Sequence, residues 1–72
     1  MTANSIDDFK ELYNNKTNFT MKFFDIGAGW NTEIESLDIA EVYIENNQLE
    51  MVNMDGLVFI TNDKNILEIT EV

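Results

Sequence analysis

The sequence predicts an α+β, mostly β fold, in which one N-terminal helix precedes about five antiparallel strands that bend into a small barrel. The hydrophobic period changes from helical spacing to strict alternation after about fifteen residues. Two hairpin turns, Asn46-Asn47 and Asp55-Gly56, separate alternating runs, and no proline forbids strand pairing. With 72 residues and no linker-like stretch, the chain is expected to form a single domain over 1–72.

The helix is predicted from Ser5 to Asn15. Ser5 is a favourable N-cap, and Asp8 follows three residues later in a weak form of the capping box. The apolar residues of this segment share one helical face and are Ile6, Phe9, Leu12 and Tyr13. This face is expected to cover an open end of the barrel.

The strands are predicted from alternation and from the turns between them. Asp25–Gly29 and Asn62–Asn65 are predicted turns, and Asp38 marks a bend. The predicted strand segments are Phe19–Phe23, Glu33–Asp38, Ile39–Glu45, a run containing Leu49 and Met51, Leu57–Thr61 and Ile66–Thr70.

The Asn46-Asn47 turn predicts the register of its hairpin. A two-residue loop places Ile44 opposite Leu49, Val42 opposite Met51, and Tyr43 opposite Glu50. The first two pairs share a face that is expected to be core. The predicted core is Val42, Ile44, Leu49, Met51, Phe19, Met21, Phe23 and Ile60.

The charge distribution bears on the kind of partner. No basic residue lies between Lys22 and Lys64, and the chain carries a formal charge of −10. Such a field repels phosphate backbones and attracts basic protein surfaces. The sequence therefore predicts no tight nucleic-acid binding and a partner with a basic face. The alternative is that the charge only keeps a small domain soluble.

Several classes of chemistry lack their usual residues. The chain has no Cys and no His, which removes thiolate sites, the commonest general base and the commonest zinc ligand. Gly27-Ala28-Gly29 lacks a third glycine and a following helix, so it indicates a turn rather than a phosphate site. We expect no catalytic residue, no metal, no cofactor and no enzymatic activity.

No apolar run has the length of a membrane span, and the N-terminus does not resemble a signal peptide. The expected location is the cytoplasm, without membrane association.

The candidate partner-binding residues are Glu41, Tyr43, Glu45, Glu50 and Trp30. The hairpin register puts Tyr43 on the same face as the three glutamates, and acidic groups around an aromatic anchor suit a surface that meets Arg and Lys. Trp30 follows two glycines in a loop, where it either plugs the barrel end or anchors a partner.

Short motifs in the middle and at the end of the chain resemble the Sm-like (Hfq-like) family. They are the Leu37-Asp38 pair, Asn46 eight residues beyond that aspartate, and the run Val58–Ile69. The resemblance implies an SH3/Sm-like barrel and ring assembly through edge strands, hence a homo-oligomer. The family's RNA-contacting positions correspond here to Thr61, Asn62 and Asp63, which are not basic.

Two functions follow as expectations. The first is a small, non-enzymatic acidic protein that docks on a basic, nucleic-acid-binding protein surface. In composition the chain resembles phage-encoded inhibitors that mimic nucleic acid. The alternative is a diverged Sm-like subunit that forms a ring and binds RNA weakly. Salt-dependent RNA binding separates the two.

Overall fold

The structure, a computed structural model, describes residues 2–72, with side chains from Asn4 onward. The predicted fold class is confirmed: one N-terminal helix precedes a run of antiparallel strands. The elements are β1 (Thr2–Ala3), α1 (Ile6–Asn14), β2 (Phe19–Asp25), β3 (Trp30–Glu35), β4 (Ile39–Glu45), β5 (Gln48–Asn53), β6 (Val58–Asn62) and β7 (Ile66–Glu71). Short 3-10 turns at Ser36–Asp38 and Asp63–Asn65 precede β4 and β7.

The strands form two antiparallel sheets. The first has the order β1-β7-β2-β3 and the second the order β4-β5-β6. The 3-10 turn Ser36–Asp38 carries the chain from β3 in one sheet to β4 in the other, at the bend predicted around Asp38. The predicted strand Glu33–Asp38 therefore ends earlier, at Glu35, and begins earlier, at Trp30.

The buried carboxylate of Asp25 joins the two sheets. Its Oδ1 accepts hydrogen bonds from the N–H groups of Gly27 at 3.0 Å, Ala28 at 3.3 Å and Ile60 at 3.3 Å. The N–H of Ile26 also donates to the Ile60 carbonyl at 2.8 Å. The junction holds the end of β2 against β6, while ladder pairing does not close the described strands into one continuous barrel.

The start of α1 is capped twice. Ser5 Oγ accepts from the N–H of Asp8 at 3.1 Å, as the sequence predicts. The second cap is long-range, because Asp63 Oδ1 accepts from the N–H of Ile6 at 2.7 Å. A carboxylate at this end of a helix also interacts favourably with the helix dipole.

The two predicted hairpin turns are present. Asn46 and Asn47 have φ values of 52° and 63°, the left-handed pair that a type I′ turn needs. The register of β4 and β5 matches the prediction, with Tyr43 opposite Glu50 and Ile44 opposite Leu49. At the next hairpin Gly56 has φ 84°, and Asn53 Oδ1 accepts from the N–H groups of Asp55 and Leu57.

The core lies between the two sheets and α1. Its buried apolar members are Ile6, Phe9, Leu12, Phe19, Met21, Phe23, Ile34, Ile39, Leu49, Met51, Ile66 and Ile69. Phe9 stacks on Tyr13 and meets Phe19 edge to face. The predicted core member Val42 is half-buried and packs against this core. The prediction that Ile60 belongs to the core is wrong, because Ile60 lies opposite Glu50 on the outer side of its sheet, while its neighbour Phe59 packs against the core.

The prediction that Ile44 belongs to the core is wrong, since its side chain is 39% exposed. Its strand β4 lies at the edge of the second sheet, and in the part of the chain that the structure describes no further strand continues the inner surface beyond it. Its cross-strand neighbour Leu49, on the central strand, is fully buried.

Because Leu49 is buried and Ile44 is exposed, truncating each of them to alanine is expected to lower the free energy of unfolding by different amounts. Leu49→Ala is expected to lower the free energy of unfolding by about 2–5 kcal/mol, because it leaves a cavity. Ile44→Ala is expected to cost about 1 kcal/mol or less, since water already reaches the side chain. Urea denaturation of both variants measures the two values. Equal losses would mean that the two side chains are equally buried.

An acidic face on the second sheet

The second sheet places four of the five predicted partner-binding residues on one outer face. Glu41, Tyr43 and Glu45 alternate along β4, and Glu50 lies directly opposite Tyr43 on β5. We call these four residues the acidic face. A register shift between Ile39 and Glu41 lets Ile39 point into the core while Glu41 points outward.

The acidic face is open to water. Tyr43 is 53% exposed, Glu41 and Glu45 are exposed, and Glu50 is half-buried. Residues of β5 and β6 extend the face beside it: Val52 and Val58 continue the row of Glu41, Ile60 continues the row of Tyr43 and Glu50, and Gln48 and Asn62 continue the row of Glu45. A large aromatic side chain therefore stands among carboxylates in a position that a partner can reach.

Tyr43 is oriented by a neighbouring carboxylate. Its hydroxyl donates to Glu41 Oε1 at 3.1 Å. This hydrogen bond, followed by the negative charge of Glu41, partial desolvation and the charge of Glu50, raises the pKa of Tyr43 above its ordinary value of about 10. The phenol is therefore held as a neutral donor well into alkaline pH.

The raised pKa gives a titration test of this geometry. Glu41→Gln is expected to lower the pKa of Tyr43, because it removes the charge that disfavours the phenolate, while Glu45→Gln is expected to leave it unchanged. Absorbance at alkaline pH in a Tyr13→Phe background measures it. Because the pKa of Tyr43 is higher in the folded than in the unfolded protein, its neutral form contributes to the free energy of unfolding. This contribution is complete below the unfolded-state pKa and is lost as pH rises through the folded-state pKa. Identical titrations of the two variants would contradict the observed hydrogen bond.

A shallow depression of about 280 Å³ lies at the hairpin end of the acidic face. Its lining residues are Tyr43, Glu45, Asn46, Gln48 and Glu50. These groups offer carboxylate and amide oxygens beside an aromatic ring, which suits a Lys or Arg side chain.

Trp30 lies apart from the acidic face. It begins β3, at the edge of the first sheet, and pairs with Asp25 across the preceding turn. Its side chain is 67% exposed, so Trp30 does not plug the end of the core. It stays a candidate anchor for a partner, at a second place on the surface.

Two acidic residues outside the acidic face, Asp25 and Asp63, accept long-range hydrogen bonds that hold the fold together. Asp25 organises the junction of the sheets, and Asp63 caps α1. Sequence reasoning took both only as turn residues, since their partners lie 35 and 57 positions away. On the outer surface of the first sheet, Lys22 lies between Glu33 and Glu68 on the neighbouring strands. The acidic face has no such cation.

Within residues 2–72, no group of His, Cys, Asp and Glu side chains has the arrangement of a metal site. In the same part of the chain, no helix is both long and apolar enough to cross a membrane. Neither observation adds a residue to the candidate site.

Comparison with protein-family models, with curated proteins and with solved structures found no significant match.

Proposed function

We propose that this protein is a non-enzymatic binding protein whose acidic face docks on the basic surface of another protein. The observation that carries the proposal is the exposed Tyr43 among Glu41, Glu45 and Glu50, on a sheet whose strands contain no lysine or arginine. A basic surface of this kind commonly serves to hold nucleic acid. Docking of the acidic face would then block nucleic-acid binding by the partner, as phage-encoded inhibitors that mimic nucleic acid do.

The charges of the acidic face support fast, salt-sensitive association. Exposed carboxylates at the rim of an interface act mainly through long-range attraction, which raises the association rate. Tyr43 can supply the buried contact, since a tyrosine loses little conformational entropy and packs both ring and hydroxyl. The two kinds of residue therefore have separable kinetic effects.

The experiment uses a partner retained from lysate on the immobilised protein and then purified. Reversing Glu41 and Glu45 to Lys is expected to slow its association about tenfold at low salt. Tyr43→Ala is expected to leave association unchanged and to speed dissociation about tenfold or more. Surface plasmon resonance at several salt concentrations measures both rates.

A matched control is available on the other sheet. Glu33 and Glu35 alternate on β3 and are both exposed, so their reversal to Lys makes the same change in net charge. This double variant is expected to slow association much less than the reversal on the acidic face. If the two double variants behave alike, net charge alone controls binding and the acidic face is not the interface.

The alternative proposal is a diverged Sm-like subunit that assembles through edge strands and binds RNA weakly. The order of the elements favours it: a helix, strands β3 and β4 that follow each other from one sheet into the other through a 3-10 turn, and a second 3-10 turn before the last strand. These features agree with a small bent barrel, but fold alone does not establish function.

The residues at the positions that would contact RNA in such a subunit are buried or form hydrogen bonds within this chain. Thr61 is fully buried, Asp63 caps α1, and Asn62 Oδ1 accepts from the Lys64 N–H and the Asn65 side chain. One edge of β7 pairs with Thr2–Ala3, which strand exchange with another subunit would have to displace. Titration with labelled RNA and DNA at low salt is expected to show no submicromolar binding, and tight saturable binding would favour the alternative.

A further inference from the structure

Among residues 2–72, no strand pairs with the outer edge of β4. In the second sheet β4 is terminal and pairs only with β5, over Ile39–Glu45. An unpaired edge presents backbone N–H and C=O groups that can bind another extended chain. Natural proteins protect such edges with charged side chains, proline or bulges. β4 has no lysine or proline, and its bulge lies between Ile39 and Glu41, so that Glu41–Glu45 pairs regularly with β5 and keeps an accessible edge.

The hairpin identifies the backbone groups at this edge. In an antiparallel hairpin closed by a two-residue turn, Glu45 pairs with Gln48 and Tyr43 with Glu50 through hydrogen bonds. The N–H and C=O groups of Val42 and Ile44 therefore point to the open edge. The other side of β5 agrees with this alternation, because Ile60, opposite Glu50, directs its backbone groups away from β5 to Asp25 and Ile26.

An apolar groove runs beside the same edge. It lies between α1 and β4 and has a volume of about 240 Å³. Four of its six lining residues, Phe9, Tyr13, Val42 and Ile44, are apolar or aromatic, and the other two are Lys10 and Asn14. Val42 and Tyr13 are half-buried, and Ile44 is 39% exposed. A chain added along β4 would alternate its side chains between this groove and the acidic face.

Charge decides what kind of chain fits. The side chains over the acidic face would meet Glu41, Glu45 and Tyr43, which favours Lys or Arg, while those over the groove would be apolar. A second copy of this protein would bring its own β4 glutamates and another charge of −10 to the edge. Like charges across neighbouring strands are unfavourable, so self-pairing is disfavoured.

We propose that the basic partner binds by adding an extended segment, with alternating basic and apolar residues, to the free edge of β4. The proposal rests on the proposed function of the acidic face and adds the mode of recognition. Backbone hydrogen bonds to Val42 and Ile44 hold the segment, and the two faces select its side chains.

The test uses a nonapeptide in which lysine alternates with valine. Two further peptides carry N-methyl groups on either the lysines or the valines. In an added strand only every second residue directs its N–H group to β4, so either the lysine or the valine N–H groups form the hydrogen bonds. The peptide methylated on those residues is expected to bind about tenfold more weakly than the other. On binding of the parent peptide, the amides of Val42 and Ile44 are expected to exchange their hydrogens about tenfold more slowly.

Ile44→Pro tests the protein side of the same contact. Proline is tolerated where the N–H of an edge strand faces outward, and here it removes one donor and obstructs the edge. The affinity of this variant for the alternating peptide is expected to fall at least as low as the affinity of the unmodified protein for the weaker methylated peptide. If it does not fold, the methylated peptides decide the question with the unmodified protein.

The outcomes separate the two proposals. If the two methylated peptides bind equally well, strand addition is overturned. If reversal of Glu41 and Glu45 to Lys also weakens the binding of both, the acidic face remains an interface. If that reversal does not weaken the binding of the alternating peptide, both the acidic-face proposal and strand addition are overturned. Absence of binding by the alternating peptide, or dimers of the free protein paired through β4, overturns strand addition.

Discussion

Phe9→Ala is expected to remove a large share of the stability of this protein. Phe9 is fully buried, stacks on Tyr13 and meets Phe19 edge to face, so it joins α1 to β2. Truncating such a ring costs about 3–5 kcal/mol. A chain of this length has a total stability of about 4–11 kcal/mol.

Urea denaturation followed by circular dichroism measures this loss. Lys10→Ala is the matched control, because Lys10 is an exposed neighbour on the same helix and its truncation should change stability by less than about 0.5 kcal/mol. If the two variants unfold at the same urea concentration, α1 does not pack as described.

Asp25→Ala is expected to destabilise the protein by about 2–4 kcal/mol, because three backbone N–H groups lose their acceptor at the junction of the sheets. Asp25 is only 3% exposed, so water cannot easily replace the carboxylate. Asp25→Asn keeps an oxygen that can accept, and is expected to cost about 1 kcal/mol.

Thermal unfolding of the two variants compares these costs, and amide exchange locates the change. The Ile60 N–H is expected to lose protection in Asp25→Ala and to keep most of it in Asp25→Asn. Unchanged protection of Ile60 in both variants would show that the carboxylate does not join the sheets.

The elements of this fold that depend on neighbouring residues were predictable from sequence. The spacing of Ile6, Phe9 and Leu12 predicts the buried face of α1, and Asn46-Asn47 predicts a turn with two left-handed residues. That turn also predicts the register opposite Tyr43, and hence the common face of the three glutamates. The candidate site follows from one short hairpin.

Features that depend on distant partners were not predictable. The exposure of Ile44 depends on β4 being an edge strand, which alternation along the chain cannot reveal. Asp25 reads as a turn residue because its bond to the Ile60 N–H spans 35 positions. The division into two sheets depends on the 3-10 turn Ser36–Asp38, where the sequence reads as a continuing strand with a bend.

The role of the acidic face in binding a basic surface is tested most directly by nuclear magnetic resonance with a decalysine peptide. The largest amide shifts are expected at Glu41, Tyr43, Glu45 and Glu50, and they are expected to decrease as salt is added. Reversal of Glu41 and Glu45 to Lys should abolish them, while reversal of Glu33 and Glu35 should leave them in place. Shifts centred on the first sheet, or lost equally in both variants, would show that the acidic face is not the surface that binds basic groups.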